Sequence, residues 1–315
     1  MTSSVSTYTF GKEETKSLNY KKQIEAGIFI YNDITYTIKK KLGTGVYGNV
    51  FLIENKEGKQ LALKTTRTGS LHENFSLWKK LSFHKNVVHL YDYFKSGGMF
   101  YIVMEYIEGK SLQDLIDTKT QVDLETFIDW SYDICRAVRS LHNQGIVYRD
   151  FKPDNIIIQE VNWVTSADSK SISRRDRFTV RFIDVGLMSD EESNLFMCNK
   201  TLGYLHLDYG VNERRTPPEF KRNTEMLEYL EDEDRKIDLF TKKAGLRRYK
   251  GYDVYSVGEE LQYIANIIVK EKLPEWFSKI LQLMSEPSRM KRIKINHVVE
   301  LFKENIKNPE IKVSA

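Results

Sequence analysis

Arg149, Asp150, Lys152 and Asn155 fall within seven residues of one another, in Tyr148-Arg149-Asp150-Phe151-Lys152-Pro153-Asp154-Asn155. The stretch runs directly into the apolar Ile156-Ile157-Ile158. A polar cluster of this kind can be a solvated loop, because connecting segments favour polar residues. It can also carry phosphoryl transfer. A carboxylate at 150 would take up the proton of an attacking hydroxyl, an amine at 152 would neutralise the moving phosphate, and an amide oxygen at 155 would hold a metal ion. The remaining elements of the chain decide between the two.

The chain of 315 residues is long enough for a large core and two lobes or domains. Its 48 basic and 44 acidic residues leave a net charge of +4, which makes no strong case for nucleic acid or membrane as the main partner. No apolar run is long enough to span a bilayer. The N-terminus lacks the basic-then-apolar pattern of a signal peptide. Two cysteines, Cys135 and Cys198, argue against a disulfide framework and predict a reducing, intracellular, cytoplasmic setting. For a viral or injected protein that setting would be the host-cell cytoplasm. The histidines show no metal-ligand spacing.

Residues 1 to about 27 are polar and charged and predict a loosely ordered extension. Strand signals begin at Tyr36-Thr37-Ile38. Gly43-Thr44-Gly45-Val46-Tyr47-Gly48-Asn49-Val50 follows, then Phe51-Leu52-Ile53. The order strand, glycine-rich turn, strand differs from a dinucleotide fold, where a helix follows the glycines. Glycines let backbone N–H groups approach a phosphate, although a plain hairpin explains the same pattern. A second hairpin at Glu57-Gly58-Lys59 leads to Gln60-Leu61-Ala62-Leu63-Lys64, with a lysine closing an apolar strand. Such a lysine can snorkel at a sheet edge or, after a glycine-rich hairpin, meet a phosphate.

Gly43 to Val50, taken with Ala62-Leu63-Lys64, resemble the ATP-gripping elements of the eukaryotic-type protein kinase family. The resemblance extends over roughly residues 32–306, through motifs in the family's order. They are the glycine loop, the strand lysine, the Arg149–Asn155 loop, Asp184-Val185-Gly186, Pro217-Pro218-Glu219, Asp253 within Asp253-Val254-Tyr255-Ser256-Val257-Gly258, and Arg292. It implies an α+β, bilobal fold with a small β-rich lobe at 32–106 and a larger helical lobe at 107–306. An extension at 1–31 and a tail at 307–315 would flank this kinase domain.

The same resemblance implies the site. Gly43, Thr44, Gly45, Val46, Tyr47, Gly48 and Val50 would cover ATP. Ala62, the backbone of Glu105 and Ile107, and Ile157 would line the adenine pocket, with Met104 behind it. Lys64 would hold the α- and β-phosphates. Glu73 would orient Lys64, or would be a plain first-turn acid of a helix over 70–81. Asp150 would accept the hydroxyl proton, Lys152 would contact the γ-phosphate, and Asn155 and Asp184 would bind Mg²⁺. Lys152 resembles Ser/Thr rather than tyrosine kinases, so the implied partner is a protein with a Ser or Thr acceptor. Arg149 would pair with a phosphate on an activation segment at 187–216, where Ser189, Ser193, Thr201 and Tyr204 are candidate acceptors. Asp253 would brace the catalytic loop and Arg292 would pair with Glu219. A pseudokinase scaffold and a small-molecule kinase are the competing classes.

The chain departs from the family at several places. Val185 stands where Phe is usual. No clear Gly-Thr pair precedes Pro217. Residues 160–178 form a Ser- and Arg-rich insertion. Residues 220–250 are charged and helix-forming, with Asn223 or Thr224 as a cap. Apolar periodicity predicts a long helix from Leu124 to His142, ended by Gly145, and a final helix near Ile295–Ile306.

Overall fold

The computed structural model describes residues 19–45, 48–67, 75–160, 178–185, 188, 190, 214–218 and 242–307, with side chains from residue 250 onward in the last stretch. The chain divides into two compact units. One comprises the chain up to His84 together with Val88–Ile107, the other Lys85–Val87 and the chain from Glu108 on. The first is β-rich and the second largely helical, the α+β division expected.

The first unit is a six-stranded antiparallel sheet. Its strands are β1 (Ile28–Tyr31), β2 (Ile34–Gly45), β3 (Gly48–Asn55), β4 (Gln60–Arg67), β5 (Leu90–Ser96) and β6 (Met99–Glu105), ordered β1-β2-β3-β4-β6-β5. Strand β4 alternates little in burial, with Leu61, Ala62 and Leu63 all buried, as suits a strand paired on both sides. Helix α1 (Tyr20–Glu25) precedes β1, and α2 (Phe75–Leu81) packs near β5, its Phe75 ring stacked 3.8 Å from Tyr93.

Part of the segment read as a loose extension is thus folded. Asn19 caps α1 by accepting from Lys22 N–H at 3.1 Å. Tyr20 reaches Phe29, Phe94 and Tyr101 with ring centroids 5.6, 4.9 and 5.1 Å away. These rings join the core built from Phe29, Tyr36, Ile53, Leu61, Leu63, Tyr101 and Val103. Polar composition hid the segment because only one face of α1 is apolar, and a six-residue helix shows too few turns for a period.

The second unit begins with β7 (Lys110–Ser111), α3 (Leu112–Asp117) and α4 (Leu124–Asn143). A single 3₁₀ turn at Pro153–Asn155 leads to β8 (Ile156–Glu160), which pairs with β7 and β9 (Phe178–Phe182). Helices α5 (Lys242–Ile268), α6 (Glu275–Met284) and α7 (Ile295–Lys307) complete it. Lys85–Val87 belongs here because Asn86 is bonded to β9. Its carbonyl accepts from Phe182 N–H at 2.7 Å and its side-chain amide donates to the Val180 carbonyl at 2.8 Å.

Helix α4 follows its predicted period. Asp123 caps it, and Phe127, Ile134, Val138 and Leu141 are buried. Gly145 ends it at φ +75°, donating to the His142 carbonyl while Ile146 donates to Leu141. An aromatic cluster joins α4, α6 and α7, with Phe277 6.1 Å from Phe127 and 5.5 Å from Phe302. The 27-residue α5 carries Asp253 and begins within the charged stretch read as an insertion. The remaining inserted residues, 161–177 and 220–241, lie outside the described residues.

Replacing Tyr20 with Ala removes three aromatic contacts from a half-buried site. The expected loss is about 2 kcal/mol of unfolding free energy, measurable by urea denaturation. An unchanged midpoint would return residues 19–31 to a loose extension.

Candidate active site

The catalytic-loop candidate starts where α4 ends. Ile146, Val147 and Tyr148 are buried, and the Tyr148 ring stacks on Phe182 of β9 at 4.7 Å. Burial pushes the Tyr148 phenol well up, helped by the carboxylates of Asp150 and Asp184. Tyr148 is therefore a packing residue. The backbone then turns through Arg149, a non-glycine at φ +70°. Such a conformation costs about 1–3 kcal/mol and persists only where neighbours enforce it.

Asp253 of α5 is the enforcing neighbour. Its Oδ1 accepts from Arg149 N–H at 2.7 Å, and its Oδ2 from Tyr148 N–H at 2.8 Å. His142, on the last turn of α4, adds a third contact at 2.8 Å from Nε2 to Oδ2. A carboxylate only accepts, so Nε2 carries the proton of that bond. The expected bracing by Asp253 is present. His142 was missed, because a histidine one turn from a helix end carries no motif of its own.

Asp150, Lys152 and Asn155 converge on one carboxylate oxygen. Asp150 Oδ2 receives Lys152 Nζ at 3.1 Å and Asn155 Nδ2 at 2.7 Å. Asn155 Nδ2 also donates to the Asp150 carbonyl at 3.0 Å. Both acceptors demand the amide nitrogen, so Asn155 Oδ1 points to its other side. Burial pushes the Asp150 carboxyl up, and the Asp184 carboxylate adds to this, while Lys152 and Asn155 pull it back down. Asp184 follows β9, and Ile183 before it donates to the Asn155 carbonyl at 3.0 Å. The Asn155 amide oxygen and the Asp184 carboxylate are hard oxygen donors, the set that suits a hard divalent cation.

Val185 is buried in place of the family's phenylalanine. Met188 N–H donates to the Val185 carbonyl at 3.1 Å, and Met188 is buried as well. Arg292 donates to the carbonyls of Glu286, Gly251 and Pro287 at 2.9, 3.0 and 3.2 Å, and lies 4.8 Å over the Tyr255 ring. Its expected partner Glu219 lies outside the described residues, as do Gly186 and the candidate acceptors Ser189, Ser193, Thr201 and Tyr204.

The other expected residues belong to the first unit, apart from Ile157, which lies on β8 opposite Ser111 and Arg181. Gly43, Thr44 and Gly45 are the end of β2, and Gly48 opens β3, with Thr44 opposite Asn49. Lys64 of β4 sits opposite Val50 on one side and Ile102 on the other. Ala62, Met104 and Ile107 are buried. Glu105 ends β6, its N–H donating to the His89 carbonyl at 2.9 Å and its carboxylate accepting from His89 N–H at 3.1 Å. Val46, Tyr47 and Glu73 lie outside the described residues.

The three loop glycines differ in cause. A Cβ on Gly48 would overlap the Thr65 carbonyl oxygen on the neighbouring strand, whereas one on Gly43 or Gly45 would meet nothing within 4 Å. Gly48 is required by the sheet, whereas no described residue requires a glycine at 43 or 45.

Residues 36–205, just over half of the chain, match the protein kinase domain family, and the chain belongs to that family. It is 28% identical over 181 residues to a probable serine/threonine-protein kinase of Clostridium acetobutylicum, covering 54% of this chain and 25% of that protein. It is 31% identical over 139 residues to a probable myosin light chain kinase of Dictyostelium discoideum, covering 42% and 44%. The serine/threonine-protein kinase greatwall of Canis lupus familiaris is 30% identical over 164 residues, covering 49% and 18%. The chain thus spans less than half the length of these relatives. Among the described residues no helix is long and apolar enough to cross a membrane.

Gly48→Ala is expected to lower unfolding free energy by about 2 kcal/mol or more, and Gly43→Ala to change it by less than about 1 kcal/mol. Paired urea titrations check this. Equal destabilisation by both would assign all the loop glycines to the sheet.

Proposed function

We propose that the chain is an ATP- and Mg²⁺-dependent protein kinase that transfers the γ-phosphate to Ser or Thr hydroxyls. The observation that carries the reading is the Asp150 carboxylate, with Oδ2 held by Lys152 and Asn155 on a loop pinned by Asp253. Among the described residues no hydrogen bond occupies Asp150 Oδ1, which leaves that oxygen for a substrate hydroxyl. The relatives' printed names and the lysine at 152 support Ser/Thr acceptors in a protein substrate.

Phosphoryl transfer needs little covalent work from the protein, so its residues position groups and stabilise charge. Asp150 orients the hydroxyl through Oδ1 and takes its proton as the oxygen attacks. Lys152, already beside that carboxylate, offsets charge on the transferring phosphoryl group. Asn155 Oδ1 and the Asp184 carboxylate would hold Mg²⁺, which when bound neutralises the β- and γ-phosphate oxygens. Lys64 grips the α- and β-phosphates, and Glu73 orients it. Gly43, Thr44, Gly45, Val46, Tyr47, Gly48 and Val50 close over the nucleotide. Ala62, Ile157 and the backbone at Glu105 and Ile107 receive adenine. The place of action proposed is the cytoplasm.

The test is phosphate transfer from labelled ATP with Mg²⁺ to a generic protein substrate, wild type beside Asp150→Asn. The expected loss in kcat is at least about 10²-fold. Nucleotide binding without turnover in the wild type would overturn the proposal in favour of a scaffold. The pH profile adds a signed check. Asp150 works as the carboxylate, so activity falls as pH drops through its pKa. Its raised pKa places the acid limb of kcat/KM above the usual value of about 3.9. Lys152→Ala removes the cation that favours the carboxylate and is expected to move that limb higher still; a shift downward would contradict the assignment.

A further inference from the structure

The first unit carries a surface that the transfer chemistry above does not use. Phe83 lies between α2 and β5 and is 93% exposed. Its ring meets the His89 ring edge-on at 6.3 Å, and His89 meets Tyr91 at 4.6 Å. Tyr91 is 45% exposed, and Lys59 Nζ lies 5.7 Å over its ring. The three rings form one continuous row. Single apolar side chains scattered on a surface are ordinary, whereas a contiguous row rimmed by polar groups marks an interaction site.

Local bonding holds the row in place before anything binds. His84 N–H donates to the Leu81 carbonyl at 2.8 Å and closes the turn that has Phe83 at its tip. His89 Nδ1 donates to the Ser82 carbonyl at 2.9 Å, because a carbonyl only accepts. The His89 backbone is held in turn by Glu105, whose N–H donates to the His89 carbonyl at 2.9 Å and whose carboxylate accepts from His89 N–H at 3.1 Å. Trp78 Nε1 donates to the Val88 carbonyl at 2.8 Å, which ties α2 to the chain entering β5. Tyr91 is the extra residue of a bulge on this edge strand, since Leu90 pairs with Met104 and Asp92 with Val103. Such a bulge re-aims a side chain. A side chain already fixed in place loses little entropy on being covered, so more of its apolar surface counts toward affinity.

Charge indicates what covers the row. The last turn of α2 carries Lys79 and Lys80, both exposed, just ahead of Phe83, and Lys59 stands at the Tyr91 end. Two carboxylates on these strands are engaged within the chain, Glu105 by His89 N–H and Asp92 by Tyr93 N–H at 2.8 Å. Glu57, in the hairpin with Lys59, is matched by Lys56. A cationic rim about aromatic rings complements a segment with acidic residues around an apolar one. The Tyr91 hydroxyl and the His89 imidazole favour a peptide over a lipid surface, because a peptide backbone offers them hydrogen-bond partners and an acyl chain does not.

We infer that the row Phe83–His89–Tyr91, rimmed by Lys59, Lys79 and Lys80, docks an acidic protein segment that carries an apolar anchor residue. The inference does not rest on phosphate transfer, in which none of these six residues has a part.

The probes are fluorescein-labelled peptide pools of mixed Asp and Glu around one central Phe. Control pools carry Ala at the centre, or Lys in place of the acidic residues. None has a hydroxyl to phosphorylate, so none is a substrate. Fluorescence anisotropy is read on the full chain without nucleotide. The wild type is expected to bind the acidic Phe pool about tenfold more tightly than either control. Phe83→Ala and Tyr91→Ala should each weaken that binding about tenfold. Lys80→Glu should weaken it too, with a smaller dependence on salt. Phe83→Ala should keep the wild-type thermal midpoint, because its ring is exposed. A wild type without preference for the acidic Phe pool overturns the inference, as does a folded Phe83→Ala variant with unchanged affinity. Tighter binding to phosphatidylserine vesicles, lost in Phe83→Ala, overturns it in favour of a membrane. A concentration-dependent dimer in sedimentation, lost in the same variant, overturns it in favour of self-association. A wild type that binds the pool but transfers no phosphate defeats the kinase reading alone, whereas an active wild type that does not bind it defeats only this inference.

Discussion

A single buried carboxylate, that of Asp253, sets the geometry on which the candidate active site depends. Its side chain is 1% exposed, so leaving it without donors would cost several kcal/mol. Three donors compensate it: the backbone N–H groups of Tyr148 and Arg149, and His142 Nε2. The same bonds hold Arg149 at positive φ, which its side chain disfavours. The strained turn then carries Asp150 to where Lys152 and Asn155 meet its Oδ2. Asp253 can do this only if α5 itself is fixed. Gly258 contributes here, because a Cβ there would come within 2.7 Å of Met284 Cβ and 2.9 Å of Ser285 Oγ. The lack of a side chain lets α5 and α6 approach closely.

Helix α5 thus bears two buried carboxylates seven residues apart, with different tasks. Asp253 binds main-chain donors and fixes where the loop's backbone runs. Glu260 binds the guanidinium groups of Arg214 and Arg215 and fixes side chains of the segment before Pro217. Backbone N–H groups are part of any sequence, so the first grip tolerates change in the loop's side chains. The second needs particular residues at 214 and 215.

The site was legible wherever chemistry is written in side chains at fixed spacing. Asp150, Lys152, Asn155, Lys64, Asp184 and Asp253 were singled out in that way, and the first three contact one another in the structure. Helix α4 and its Gly145 stop were legible because twenty residues give a clear period. Helix α1 was not, because Tyr20 acquires meaning only against Phe94 and Tyr101, far along the chain. Ser256 and Glu260 of α5 were hidden too, since their partners Arg215 and Arg214 lie 41 and 46 residues away. His142 was hidden because its partner lies 111 residues away.

Amide hydrogen exchange at Tyr148 and Arg149 tests the role of Asp253 most directly, wild type beside Asp253→Ala. With the carboxylate in place both amides should exchange slowly, as buried donors in good hydrogen bonds do. In the variant both should lose protection, while amides in the middle of α4, such as Val138, stay protected. Protection at Tyr148 and Arg149 that survives the substitution would show that the loop holds its own shape, and would contradict the account.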